Sequence, residues 1–428
     1  MMKSESWYEF YLSKTTKKWV DEKRKIDDIG ELWRIHDNLY DVSDFIEKHP
    51  GGKFWLEETQ GMDITEAFES HHIKSDTPQL TLQKYFVKKA TKPRASPFTF
   101  YENGFYKTIK RKARPILKTL PKDCHKKSNM YTDLLLLATF LCSWLANVFS
   151  SYYLIILASI TCSFLLVAVH NYNHQRDNFR MLYGDLMMMS SREYRFIHIL
   201  SHHAFSNSRG DLQLNFVYPV VNFFPESKSF FTKYFTWITC TVIFFPIKLH
   251  LVGLINLLGV IINKKNYVNS LLPLLLPVAM YFGSGKSLWS TLGTWQLILV
   301  GTSILVTTIA YTTTHAHPDL YIEGDAMRPK EELDWGVGQL DTTFDRKDIM
   351  GNQFLSFVMF GDHALHHLFP TLDHAYLQYL YPLLEETLKE FNFKSINITT
   401  TPDIYLGFYR QAARELPKTI PPSLGKIF

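Results

Sequence analysis

Residues 134–169, between Asp133 and His170, are 36 positions without a charged side chain: LLLLATFLCSWLANVFSSYYLIILASITCSFLLVAV. About 20 helical residues cross the hydrocarbon core of a bilayer. The run is too long for one crossing and suits two, over about 134–151 and 152–169, joined by a tight turn near Ser150–Tyr153. A second pair is expected at about 267–285 and 291–312, where Asn266–Gly285 and Ser287–Thr314 are charge-free on either side of Lys286. Tyr234–Asn263 is also apolar, but Pro246, Lys248 and His250 divide it into halves shorter than a span, which predicts an interfacial or re-entrant segment.

Charge orients these spans. Tyr106–Lys127 holds nine Lys and Arg against one acid, Asp123, directly before the first span, which places the N-terminal side in the cytosol. The run reads foremost as a membrane-surface anchor, and otherwise as a cradle for an acyl-CoA or phospholipid head group. Between Asp27 and Ser75 the balance reverses: 12 acids oppose four bases, near −8 in a chain of net charge +5. That asymmetry suggests an acidic, partner-facing module joined to a basic, membrane-facing body, with no nucleic-acid partner. Cys124, Cys142, Cys162 and Cys240 show no CxxC spacing, which fits a reducing compartment, and MMKSESWYEFYLSK lacks the apolar core of a cleavable signal.

Histidine carries the chemistry. His170 and His174 close the second span, His198, His202 and His203 follow in FIHILSHHAF, and His363, His366 and His367 stand in GDHALHHLFP. These eight of 17 histidines sit at helical spacings that aim imidazoles at a common point. Eight are too many for one ion and enough for two with open positions. Imidazole ligation without Cys or HExxH excludes the usual zinc sites and favours iron, and the lack of clustered carboxylates excludes the Glu-rich soluble di-iron bundle.

Two resemblances follow. WRIHDNLYDVSDFIEKHPGG and GMDITEAFESHH, within residues 24–90, resemble the cytochrome b5 fold. That resemblance implies a haem b held by His49 of HPGG and by a histidine of AFESHH, with His72 preferred because the family places this ligand four residues after the Phe, and His71 the alternative. It further implies Phe45 and Phe68 as walls of the pocket and Gly51–Gly52 as the turn beneath the ring, while Trp33 and His36 read as structural. A haem with two imidazole ligands has no open position and can only pass an electron.

The three histidine clusters, with DWGVGQLDTTFD and HHLFPTL, resemble the membrane fatty acid desaturase and hydroxylase superfamily over roughly residues 130–400. The resemblance implies two non-haem Fe ions, O2 as oxidant, an acyl-lipid or acyl-CoA substrate, and a further ligand from TTTHAHPDL, His315 in preference to His317. A haem module fused to such a body resembles front-end desaturases, although Asn171 stands where their first box has Asp and His363 where their third has Gln. Length and GDHALHHLFPTL are most similar to the insect cytochrome b5-related family.

The fold expected is thus an α+β cytochrome b5-like domain followed by an all-α multi-span membrane domain with a cytosolic di-iron cap. Its divisions are a tail (1–23), the haem domain (24–90), a basic linker (91–130), the desaturase-like domain (131–400) and a C-terminal tail (401–428). The function implied is an oxygen-dependent acyl-lipid desaturase of the endoplasmic reticulum membrane, fed by an NADH-dependent flavin reductase of cytochrome b5. A hydroxylase on the same scaffold and a non-catalytic haem electron carrier are the alternatives. Glu57, Glu58, Asp63, Glu66 and Glu69 are expected to dock the reductase, and His125, His250 and His374 to be surface or interfacial.

Overall fold

The structure is a computed structural model and describes residues 15–218, 221–263, 267–311, 315–393 and 395–422. Sequence readings at 1–14 and 423–428 lie outside the described residues. Helix α1 (Thr16–Asp27) is capped by the Thr15 side chain and precedes a three-stranded antiparallel sheet, β1 (Trp33–Ile35), β2 (Asn38–Tyr40) and β3 (Phe86–Lys89), in the order β1-β2-β3. His36, at φ 55°, makes the reversal between β1 and β2. Trp33 is fully buried and its indole N–H donates to the Leu56 carbonyl at 3.1 Å. Helix α2 (Thr65–His71) closes this small domain.

The first part of the basic run is helical. It forms α3 (Phe105–Thr119), whose Tyr106, Ile109 and Lys110 are buried. Lys110 bonds Glu69 at 2.7 Å, Lys112 pairs with Glu386 and Glu390, and Arg114 with Asp76. Lys110 is thus neutralised inside the protein, while Lys112 and Arg114 are paired at its surface.

Helices α4 (His125–Phe149) and α5 (Tyr152–Asn173) form the predicted hairpin. Leu134, Leu137, Leu141 and Ile156 face outward, as lipid-facing side chains should. The inner faces carry small residues: Thr139, Ser143 and Ala146 on α4, Ala158 and Ser159 on α5. With no hydrophobic drive inside a bilayer, such residues let helices approach and bond. Ser159 Oγ reaches the Ile298 carbonyl, 3.3 Å away on α6 (Leu288–Tyr311).

The second half departs from the sequence reading. Phe230–Ile238, Thr239–Phe244 and Phe245–Asn263 run end to end as α, π and α helix, so Phe230–Ile261 is one apolar helix of 32 residues, long enough to cross. Pro246 does not break it. Ser303 Oγ takes the Phe245 carbonyl and accepts from the Leu249 amide at 3.1 Å, restoring backbone bonds as membrane helices require. Tyr267–Tyr281 is split by the 3-10 turn Leu272–Leu274, which holds Pro273, into short pieces, and its apolar helical part, Asn269–Tyr281, is shorter than a span. Among the described residues four helices are long and apolar enough to cross. Two of these candidates, Phe230–Ile261 and α6, lie between residues 203 and 363. Lys286 Nζ meets Ser150 Oγ at 2.9 Å, so the turns after α4 and before α6 lie together.

The remaining helices include α7 (Trp335–Asp341), α8 (His363–Leu368) and α9 (Thr401–Ala413), so both stretches read as tails contain helix.

Candidate haem cavity and metal centre

A cavity of about 920 Å³ lies between the N-terminal domain and the body, lined on the domain side by Phe45, His49, Gly51, Phe68, His71 and His72. His49 Nδ1 pairs with the Gly52 carbonyl at 2.8 Å and His72 Nδ1 with the Phe68 carbonyl at 2.9 Å. With Nδ1–H tied to oxygen, each Nε2 is left as the free lone pair. The two ring centres are 6.3 Å apart. Imidazoles on opposite sides of one iron, each bonded at about 2 Å, stand about 6 Å apart, so the pair fits a haem. His71 turns elsewhere: its ring is 5.4 Å from Trp55 and its Nδ1 bonds the Ala67 carbonyl at 2.6 Å. Burial holds both imidazoles neutral, lowering His71 to about 4 and His72 to about 3. Gly52, at φ 101°, comes so close to Asp177 that a Cβ would overlap the carboxylate.

Nine histidines meet deeper in the body. His170, His174, His198, His203 and His366 bring one ring nitrogen each within 4.8 Å of the others, and His202, His315 and His367 form a second such group. His363 joins the second, with its Nε2 2.7 Å from that of His315. Other Nε2 separations are 2.8 Å for His170–His198, 3.0 Å for His174–His170, 3.2 Å for His203–His198 and 3.1 Å for His202–His315. Two imidazoles at right angles on one ion at about 2.1 Å would lie about 3 Å apart. Both nitrogens of His366 and Nε2 of His367 are buried without a hydrogen-bond partner among the described residues, a costly state unless an ion takes them. Burial, and then neighbouring imidazoles, keep His363, His366 and His367 far below the ordinary histidine range, and burial first of all lowers His198 and His202 to about 3. Neutral rings are what a metal needs.

The partition differs from the single point that helical spacing predicts. Arg195–His202 is a π-helix, so His198 and His203, five apart, share one group while His202 turns to the other. On α8, His363 and His367 go to the second group and His366 to the first.

The sequence agrees with this geometry. Residues 142–396 match the fatty acid desaturase family, and residues 16–91 match the cytochrome b5-like haem/steroid binding domain. The chain is 39% identical to "Cytochrome b5-related protein" of Drosophila melanogaster over 418 residues, 96% of this chain and 94% of that protein. It is 23% identical to "Delta(5) fatty acid desaturase A" of Dictyostelium discoideum over 85% of this chain and 86% of that protein. Human "Cytochrome b5 type B" is 39% identical over 69 residues, 16% of this chain and 45% of that protein. The chain belongs to the fatty acid desaturase family. No solved structure matches it. It is a membrane oxidoreductase of the desaturase type with a fused cytochrome b5-like domain.

Around the histidines of this desaturase stands a shell that motif reading did not find. His202 Nδ1 is held by Asp211 at 2.7 Å, His198 Nδ1 by Gln213 at 2.9 Å, His367 Nδ1 by Gln339 at 2.8 Å and His315 Nδ1 by the Thr342 carbonyl at 2.9 Å. Each partner fixes the tautomer and leaves Nε2 free to ligate. Gln339 and Thr342 lie in a stretch already singled out, DWGVGQLDTTFD; Asp211 and Gln213 do not. His317 is separate, beside Phe344 and between Asp319 and Asp403 at 3.6 and 3.5 Å.

Two expectations are corrected. His374 is buried, not interfacial: its ring is 4.9 Å from that of His366, and its backbone N–H donates to Asn171 Oδ1 at 3.1 Å. Asn171 Nδ2 in turn donates to Asp373 at 2.8 Å, so the departure from His-Asp has a partner across the fold. The acids expected to dock a reductase are mostly internal. Asp63 and Glu66 are buried against Arg94, Glu69 against Lys110 and His36, and Glu58 pairs with Arg192 of the body. A carboxylate out of water needs a cation, and the chain supplies its own.

Proposed function

We propose that this desaturase removes hydrogen from a lipid acyl chain, using O2 and electrons delivered through its own haem domain to a di-iron centre. In this reading residues 24–90 hold the haem through His49 and His72. Residues 131–400 hold two irons, one through His170, His174, His198, His203 and His366, the other through His202, His315, His363 and His367. The partition of nine neutral imidazoles into two groups, with unpartnered nitrogens at their centre, carries the proposal. When bound, the haem would supply one-electron transfer and the iron pair oxygen activation at an unactivated C–H bond.

The chain's own residues do the rest. Asp211, Gln213 and Gln339 orient His202, His198 and His367. Burial of the surrounding rings excludes bulk water, which guards an oxidising site against side reactions. The protein is read as a resident of the endoplasmic reticulum membrane with haem domain and histidines on the cytosolic face, reduced by an NADH-dependent flavin reductase. The joined turns at Ser150 and Lys286, at the end of α4 and α5 away from the histidines, support placing the histidines together on one face.

The test is expression in yeast with full acyl-lipid mass spectrometry. New double bonds should appear with the wild type and vanish in His366→Ala and His49→Ala. Added hydroxyl groups, or no product from an iron- and haem-replete protein, would overturn desaturation.

A further inference from the structure

Two adjacent histidines end α2, and the fold gives them different surroundings. His72 faces His49 and packs on Phe68, with ring centres 4.7 Å apart. His71 lies against Trp55, and its Nε2 is buried with no hydrogen-bond partner among the described residues. The cavity lined by His71 is also lined by His174 of the first histidine group and by Leu200 of the π-helix.

The same end of α2 is tied to the segment leaving the third cluster. Thr371, four residues beyond His367, donates its hydroxyl to the His71 carbonyl at 3.2 Å. Two residues back, the Tyr106 hydroxyl lies 3.4 Å from the Glu69 carbonyl and 3.1 Å from that of Leu368. The peptide carrying the haem-side histidines is thus hydrogen-bonded to the chain that carries His363, His366 and His367.

We infer that His71 is the contact through which an electron crosses from the haem module to the iron centre. It is a positioning residue, bonded to neither metal, and the inference rests on the function proposed above. In the step the haem that His49 and His72 would hold would be oxidised by one electron, and the irons that the two histidine groups would hold would be reduced by that electron. No bond forms or breaks, and His71 stays neutral. The reductant that first makes the haem ferrous is a reduced flavoprotein. A six-coordinate haem can hand its electron only to its surroundings, and close-packed, hydrogen-bonded atoms couple two centres better than a void does.

The experiment uses the full chain in detergent, loaded with haem and iron. Without oxygen, a pulse of photoreduced flavin reduces the haem, and its reoxidation by the ferric centre is followed by absorbance. His71→Ala should keep the six-coordinate haem spectrum and the wild-type iron content while reoxidation slows at least severalfold. His71→Phe, which refills the space, should recover most of the rate. Thr371→Val, which releases the His71 carbonyl without altering either ring, should slow the same step less.

Loss of the six-coordinate spectrum in His71→Ala would make His71 a haem ligand and overturn the inference. An unchanged reoxidation rate in His71→Ala, or in Thr371→Val should the alanine protein not fold, would overturn it too. A wild-type haem that is never reoxidised by the iron-loaded centre would instead overturn the parent reading, before any variant is compared.

Discussion

Arg195 lays its guanidinium over the indole of Trp55, 4.7 Å from the ring centre, and so joins the π-helix of the metal centre to the wall of the haem cavity. It also bonds Asp177 at 2.6 Å and the Asn173 and Gln175 carbonyls. Lysine has neither the planar face nor the fork for these contacts, so Arg195→Lys should cost about 1–3 kcal/mol. The expected result is a lower unfolding midpoint and faster proteolysis between the domains, with the haem spectrum unchanged. A lysine protein as stable as the wild type would show that the stack contributes nothing.

Asp211 and Gln339 each fix a histidine of the second group. Asp211→Asn and Gln339→Leu should each weaken iron retention by about 10–100-fold. Elemental analysis after graded chelation, with haem as internal standard, measures this. Wild-type retention in both would remove the shell from the account.

Glu66 is buried against Arg94 and Ser96. Glu66→Ala leaves the Arg94 guanidinium short of a partner and should destabilise the haem domain by about 3–5 kcal/mol. Because Glu66 is internal, the rate of haem reduction by a reductase should stay near wild type in the folded fraction. Stopped-flow reduction with parallel thermal unfolding separates the two effects.

Gly301 of α6 faces Ser159 of α5 so closely that a Cβ would overlap the serine side chain. Gly301→Ala should cost about 1–3 kcal/mol through overpacking. Combining it with Ser159→Gly should recover most of the loss, since only neighbours couple in a double-mutant cycle. Additive losses would mean that the helices meet elsewhere.

Asp334 caps α7, accepting from the Gly336 and Tyr106 amides at 2.9 and 3.2 Å, and burial raises its carboxyl to about 6. A carboxyl whose folded pKa is raised binds its proton more tightly in the folded state, so its effect on stability worsens as pH rises from the unfolded value through 6. Asp334→Asn keeps the acceptor oxygen without the charge. The asparagine protein should gain on the wild type in unfolding midpoint between pH 5 and pH 8; a pH-independent difference would contradict the shift.

Much of this protein was written in local pattern. A charge-free run of 36 residues demands a buried or lipid-solvated hairpin, HPGG with AFESHH marks a haem module, and histidines four apart on a helix share a face. Those readings need only the period of a helix and the thickness of a bilayer. What they could not decide depends on partners distant in sequence. Pro246 reads as a break until Ser303, 57 residues later, takes over the backbone bonds around it. The acids of residues 57–69 read as a docking face until Arg94, Lys110 and Arg192 fold onto them. His198, His202 and His203 read as aimed at a common point until a π-turn sends them to two groups, and His374 reads as surface until α8 packs it beside His366. Spacing specifies which side chains can converge; long-range packing and the neutralising of buried charge select which of them do.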